Sequence, residues 1–312
     1  MYKPVEIYGA SRIFGRFTRE SASMQRTVHN MTDHTLTFTL WDVGHGVSIW
    51  IRTPNGSNHW IDLGRTPEFS PSEHVRRAYG VSEIDCLVIS HPDKDHLEDL
   101  PQFKATFGDP SVLHRNKSLP ATDMFGQRTL QYQRDFADLH HRYTGSVCWD
   151  DSPTNPERNG GVRYAIRSLD HGIRVNGATI EGNDTSIVVM LLYEGVLFVC
   201  PGDIEPLGWQ ELWRRYESRF RPLIEDADCR LLVAPHHGRR SGYCKDMMDA
   251  IQPHATFISD VWGASETHPA FRSDPLGVRS PSGEIVRYYT TKRGGRVQVI
   301  VSSTGFNIDQ YD

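Results

Sequence analysis

A chain of 312 residues, 38% hydrophobic and 23% charged, has the composition of an ordinary globular protein, and no stretch approaches the roughly 18 unbroken apolar residues of a membrane span. A formal charge of −5 excludes a protein that coats nucleic acid with its whole surface, since phosphate affinity comes mainly from Lys and Arg, but leaves room for a local basic groove. Five scattered cysteines without a CxxC pair, and an N-terminus with no basic segment before an apolar run, point to reduced thiols and a cytoplasmic protein.

In chain order, residues 36–43, 47–53 and 59–63 read as strands, the last two joined by the turn signal Pro54-Asn55-Gly56. Residues 71–79 read as a helix. The continuous apolar run 84–90 then reads as a buried strand, with His91 at its end. From 101 to 163 the pattern weakens into a helix over 127–143 and loops rich in Pro, Asn, Asp and Gly, an expected insertion over a site. Strands resume at 172–180, 185–193 and 196–200, followed by a helix near 207–220 and strands at 230–234, 256–259, 285–289 and 296–301. Two halves, each of sheet plus helices, predict a layered α/β sandwich in a single domain over 1–312.

Chemistry concentrates where apolar runs stop. His91-Pro92-Asp93-Lys94-Asp95-His96 packs two histidines and two aspartates into six positions after a buried strand, where they would repel or lie unsatisfied without a positive partner. A bound cation resolves this, with His91 and Asp93 offered to one ion and Asp95 and His96 to a second. Asp203 follows another apolar run and a permissive Gly202, placed to bridge two ions. Leu231 to Gly238 repeats the arrangement with His236 and His237. Neighbours on an extended segment point to opposite sides, so one of the two is an expected ligand and the other a substrate contact, with His237 favoured as the ligand and the choice left open. His268-Pro269 is an expected ligand of the second metal. His29, His34, His59, His74, His114, His140, His141, His171 and His254 form no comparable strand-end pattern and receive no ligand role.

The ordered segments 41–48, 61–64, 90–97, 183–189, 201–203, 234–238 and His268-Pro269 resemble the metallo-β-lactamase superfamily, in detail the hydrolase domain of ComEC-type competence DNA-uptake proteins. The resemblance runs from about Leu36 to Gly305. It implies a four-layer αββα sandwich with the metals at one edge, and it accounts for Asp93, because this branch commonly carries aspartate where most of the superfamily has histidine. The chain departs from the branch at His45 and Val47, where Gln and Asp are common, and at Glu98-Asp99, where Gly-Gly is common. The transporter's membrane channel has no counterpart, so a free-standing hydrolase is expected.

The expected chemistry is a two-metal hydrolysis in which divalent ions lower the pKa of a bridging water that attacks phosphorus. Asp95, Asp203 and His236 are the expected catalytic groups. Lys94, Arg239, Arg240 and Ser241 are expected to meet phosphoryl oxygens, with Asn183 and Ser186 as hydrogen-bond donors. Asp42, Asp62 and Ser48 are read as supports for turns or for the ligands. Mixed imidazole and carboxylate ligands suit zinc, manganese or iron, the aspartates leaning toward manganese. The first functional expectation is a nuclease acting on DNA, the second a hydrolase of a small phosphoester such as a nucleotide or phosphorylcholine-type ester. A non-enzymatic binding module is the third. The aromatic residues Phe125, Tyr132, Phe136 and Tyr143 are read as core rather than as base-stacking platforms.

Overall fold

Alternation along the strands decides the architecture. In Val188–Tyr193, the side chains of Val189, Leu191 and Tyr193 enter one apolar core while those of Val188, Met190 and Leu192 enter another. Val196–Cys200 divides the same way, Phe198 to one side and Leu197 and Val199 to the other. Neither strand has a polar face, which is why both read as unbroken apolar runs.

The computed structural model of the protein describes residues 5–6, 34–120, 130–260 and 267–311. A seven-stranded sheet runs in the order Gly305–Tyr311, Arg296–Ser302, Leu36–Leu40, Ser48–Arg52, Asn58–Leu63, Cys86–Val88, Val112–His114. A six-stranded sheet runs Tyr288–Thr290, Ala255–Ile258, Cys229–Val233, Val196–Cys200, Val188–Tyr193, Arg163–Arg167. One core, holding Phe38, Ile49, Ile61, Val189, Phe198 and Val299, takes side chains from both sheets. A second lies between the six-stranded sheet and the helices Pro206–Glu225 and Lys245–Ile251, centred on Trp209, Leu212 and Met247. A third lies between the seven-stranded sheet and the helices Pro71–Tyr79, Leu100–Phe107 and Gln131–Arg142, and includes Trp50, Trp60, Phe103 and Phe136. Three cores between four layers make an αββα sandwich.

Local signals explain most elements. Helix Pro71–Tyr79 starts on Ser70, whose hydroxyl accepts from the Glu73 amide at 3.3 Å, and ends on Gly80, whose left-handed backbone lets its amide close onto Arg76 O at 3.1 Å. Two expected strands are corrected. Residues 172–180 form a small hairpin, Arg174–Val175 against Ala178–Thr179, because Asn176 and Gly177 both take positive φ (50° and 87°) and reverse the chain. Residues 285–289 break at Arg287: Ile285–Val286 joins a three-stranded sheet with Val5–Glu6 and Val278–Arg279, and Tyr288–Thr290 joins the six-stranded sheet. Arg163–Arg167 and Gly305–Tyr311 are strands without a strong sequence signal, because each lies at a sheet edge and keeps polar or half-exposed side chains.

Within 101–163, Val112–His114 is the outermost strand of the seven-stranded sheet and Gln131–Arg142 covers that sheet's outer face, so this stretch contributes to the framework. Tyr132, Phe136 and Tyr143 pack in or against that core. Phe125, His29 and the first turn of the helix expected from 127 lie outside the described residues. All five cysteines are free, four of them buried and Cys148 exposed. Among the described residues no helix is long and apolar enough to cross a membrane.

Candidate metal centre

Parallel strands of both sheets end at the same edge of the sandwich, where side chains leaving strand termini converge. Asn58–Leu63 carries Asp62, Cys86–Val88 leads to His91, Val196–Cys200 to Asp203, and Cys229–Val233 to His236 and His237. Gly202 permits the approach of the two sheets' loops: a Cβ there would lie 2.8 Å from Ser90 Cβ. Asp62, His236 and His237 hold φ of 57°, 48° and 55°, a conformation costing non-glycine residues about 1–3 kcal/mol each. Three such residues at one edge show backbone strain concentrated where polar side chains must point inward.

Asp203, almost fully buried, is the hub. Its carboxylate lies 3.2 Å from His96 Nε2, 3.4 Å from His237 Nε2, 3.8 Å from His236 Nε2 and 3.9 Å from His91 Nε2. His237 Nε2 is also 3.1 Å from Asp95 Oδ2, and His91 Nε2 is 3.7 Å from Asp93 Oδ2. Donor atoms of His91, His96 and Asp203 lie within 4.8 Å of one another, as do those of His45, Asp95 and His237. His96 is oriented from behind by Asp62, whose Oδ2 is 2.8 Å from its Nδ1, and Asp62 in turn accepts from the Ser90 amide and hydroxyl, both at 2.7 Å. A carboxylate behind an imidazole fixes the tautomer that presents Nε2 to the centre.

The electrostatics show a demand for positive charge. Burial by itself disfavours charged His96 and His237, yet Asp203 and its neighbours outweigh it, raising His96 well above its usual range and His237 to about 9. Burial likewise opposes ionised Asp203 and Asp95, but the same histidines hold both carboxyls below the usual range. His91 is held low by burial and by His96. Meanwhile His91 Nε2, His96 Nε2, both His237 nitrogens and Asp203 Oδ1 are buried without a hydrogen-bond partner. Buried polar atoms are ordinarily satisfied, so convergent orphaned donors around buried carboxylates fit divalent cations.

The remaining expected residues divide. Asp93 is exposed beside His91, with its side chain 61% accessible. His236 stands at the rim, Nδ1 2.8 Å from Ser241 Oγ and 3.5 Å from Glu205 Oε1, with Asn183 Nδ2 also 3.5 Å away. Arg240 is exposed, and Lys94 pairs on the surface with Glu98 at 3.2 Å. Ser186 is placed away from the expected surface position: it is fully buried and its hydroxyl accepts from the Asp203 amide at 3.3 Å, so it supports the hub. His268 is also placed differently. Its ring stacks on Tyr243 at 4.0 Å, its Nδ1 accepts from the Ala270 amide, and it belongs to neither donor group found among the described residues.

The structure also brings His45 to this edge, a residue that the strand-end pattern passed over. Its Nε2 is 3.4 Å from Asp95 Oδ2 and 3.0 Å from Arg239 Nη2, and its ring lies 4.2 Å from that of His237. Burial, then His237, lowers its pKa, leaving a neutral imidazole able to accept. The signal available was Gly44-His45-Gly46, a histidine between two glycines at a strand-connecting loop. Glu205, beside His236, carried no signal of its own.

Sandwich and donor cluster together define a class: a four-layer αββα fold with a His/Asp centre at one edge. No family model matches the chain. The chain is similar to competence protein ComA of Neisseria gonorrhoeae, 23% identical over 244 residues that make up 74% of this chain and 28% of that protein, so it spans little more than a quarter of that relative's length. Among solved structures it is similar to a new diphosphatase from the PhnP family, 12% identical with a TM-score of 0.38, over 84% of this chain and 96% of that one.

Proposed function

We propose that the protein is a metal-dependent phosphodiesterase, a nuclease acting on DNA, whose hydrolytic centre surrounds Asp203. The observation that carries the reading is the set of buried, unpartnered nitrogens of His91, His96 and His237 converging on that carboxylate. In this reading His91, Asp93, Asp95, His96, Asp203 and His237 hold two divalent ions, zinc or manganese. When bound, such a pair supplies Lewis acidity toward a phosphoryl group and lowers the pKa of water. Asp62 keeps His96 turned inward, and Asp203 reaches both halves of the donor set. Nδ1 of His236 pairs with Ser241 Oγ at 2.8 Å, while Nε2 faces the centre 3.8 Å from Asp203, where it is placed to reach a leaving oxygen. Lys94, Arg239 and Arg240 lie beside the ligand segments and supply positive charge for a nucleic-acid backbone. The motif order shared with competence DNA-uptake hydrolases, and a relative named as a competence protein, favour DNA as substrate.

The test is cleavage of single-stranded DNA, duplex DNA and bis(p-nitrophenyl) phosphate with manganese or zinc, beside a His91→Ala, Asp95→Ala double variant. DNA cutting that depends on metal and disappears in the variant is the expected result. Hydrolysis of the small diester alone replaces the nuclease with a small-phosphoester hydrolase, and no hydrolysis of any substrate by metal-loaded protein removes the enzymatic reading.

A further inference from the structure

The loop carrying His45 is pinned to the loop carrying Asp95. Val47 N donates to Asp95 O at 3.2 Å, Ser259 Oγ donates to Gly46 O at 2.6 Å, and a Cβ on Gly46 would lie 2.6 Å from Asp95 O, so no side chain fits there. On the other side of the rim, the turn carrying Arg239 is closed by its amide donating to His236 O at 2.9 Å and by a bridge to Thr267. Two fixed backbones 194 positions apart therefore bring Arg239 Nη2 to 3.0 Å from His45 Nε2. A guanidinium offers five N–H donors in a rigid fork and no acceptor, so the imidazole nitrogen is the acceptor. Arg239 has no carboxylate within ion-pairing distance among the described residues, which leaves its charge available to an incoming anion.

We infer that His45 is a positioning residue: it holds the Arg239 guanidinium at the rim of the Asp95–His237 cluster, where the remaining N–H groups bind a phosphoryl oxygen of the substrate. The inference rests on the phosphoesterase reading and adds a specificity element toward oxyanions. Fork geometry suits two oxygens of one phosphoryl group, and a guanidinium free to rotate on its side chain would lose orientational freedom on binding that His45 has already removed.

The experiment compares wild type, His45→Ala, His45→Gln, Arg239→Ala and the His45→Ala, Arg239→Ala pair, all manganese-loaded. It reads inorganic phosphate affinity by calorimetry, metal content by mass spectrometry, and KM and kcat on a diester. Loss of either partner is expected to weaken phosphate binding by about tenfold and to raise KM with kcat little changed. The double variant should be no worse than the single ones, and His45→Gln, whose Oε1 accepts from Arg239, should recover most of the loss. Metal content stays constant throughout. The idea is overturned if His45→Ala sheds metal while Arg239→Ala keeps it, which makes His45 a metal donor, or if His45→Ala binds phosphate as tightly as wild type. Phosphate affinity is measured without turnover, so an inactive wild type that shows this pattern defeats the phosphoesterase reading alone.

Discussion

His59, His114, His140 and His254 on one hand, and His96 and His237 on the other, are imidazoles withdrawn from solvent whose surroundings push their protonation in opposite directions. Burial comes first in driving His59 down to about 3 and His114, His140 and His254 to about 4, helped by the neighbouring His114, Lys117, Arg115 and Arg230 respectively. Burial acts on His96 and His237 in the same direction, and there Asp203, with Asp62 or Asp95, reverses it. The difference teaches that burial of a histidine says little about function. What marks the centre is burial together with carboxylates that have no positive partner except those rings. His59 makes the contrast sharp, since its Nδ1 pairs with the Tyr164 hydroxyl at 2.8 Å and no acid is needed.

The largest effect should come from breaking the hub. Asp203→Asn is expected to lower metal affinity by more than the about 100-fold that losing an outer partner can cost, measured by competition with a chelator. Next, Asp62→Ala leaves His96 unoriented while keeping every direct donor, and should weaken metal binding about 10- to 100-fold by the same measurement. If Asp62→Ala binds metal like wild type, the contrast between carboxylate-backed and isolated histidines loses its meaning.

The neutral group predicts a pH dependence. Its folded pKa values lie below the unfolded value of 6.5, so the unfolded chain takes up protons first on acidification. Stability present above pH 6.5 is then lost as pH falls toward 4, at about 1.4 kcal/mol per pH unit for each histidine. Unfolding free energies from urea titrations of His59→Phe between pH 6 and 4 should show a slope against pH shallower by that amount, whatever the absolute stability of the variant. The smallest effect is expected for Tyr164→Phe, which removes one hydrogen bond from His59 and should cost about 1 kcal/mol in urea unfolding at pH 7.

Much of this was legible along the chain for a local reason. Apolar runs such as 84–90, 196–200 and 230–234 mark strands buried on both faces, and the acids and histidines that end them must lie at a strand terminus. That rule alone gathers His91, Asp95, His96, Asp203 and His237 at strand ends. Edge strands such as Arg163–Arg167 were illegible because one side of an edge lacks a neighbour and tolerates Arg and Tyr. The hairpin at Asn176-Gly177 carries a turn signal of its own within the stretch expected as one strand.

By itself the sequence determined the central strands, their two-sided burial and the residues delivered to their ends, because periodicity and chain punctuation are local properties. Only the tertiary structure decided which loops meet. His45 against Asp95 and Arg239, Glu205 against His236, Ser186 beneath Asp203 and His268 against Tyr243 all depend on how two sheets stack. Contacts between loops from different layers leave no period in the chain that could announce them.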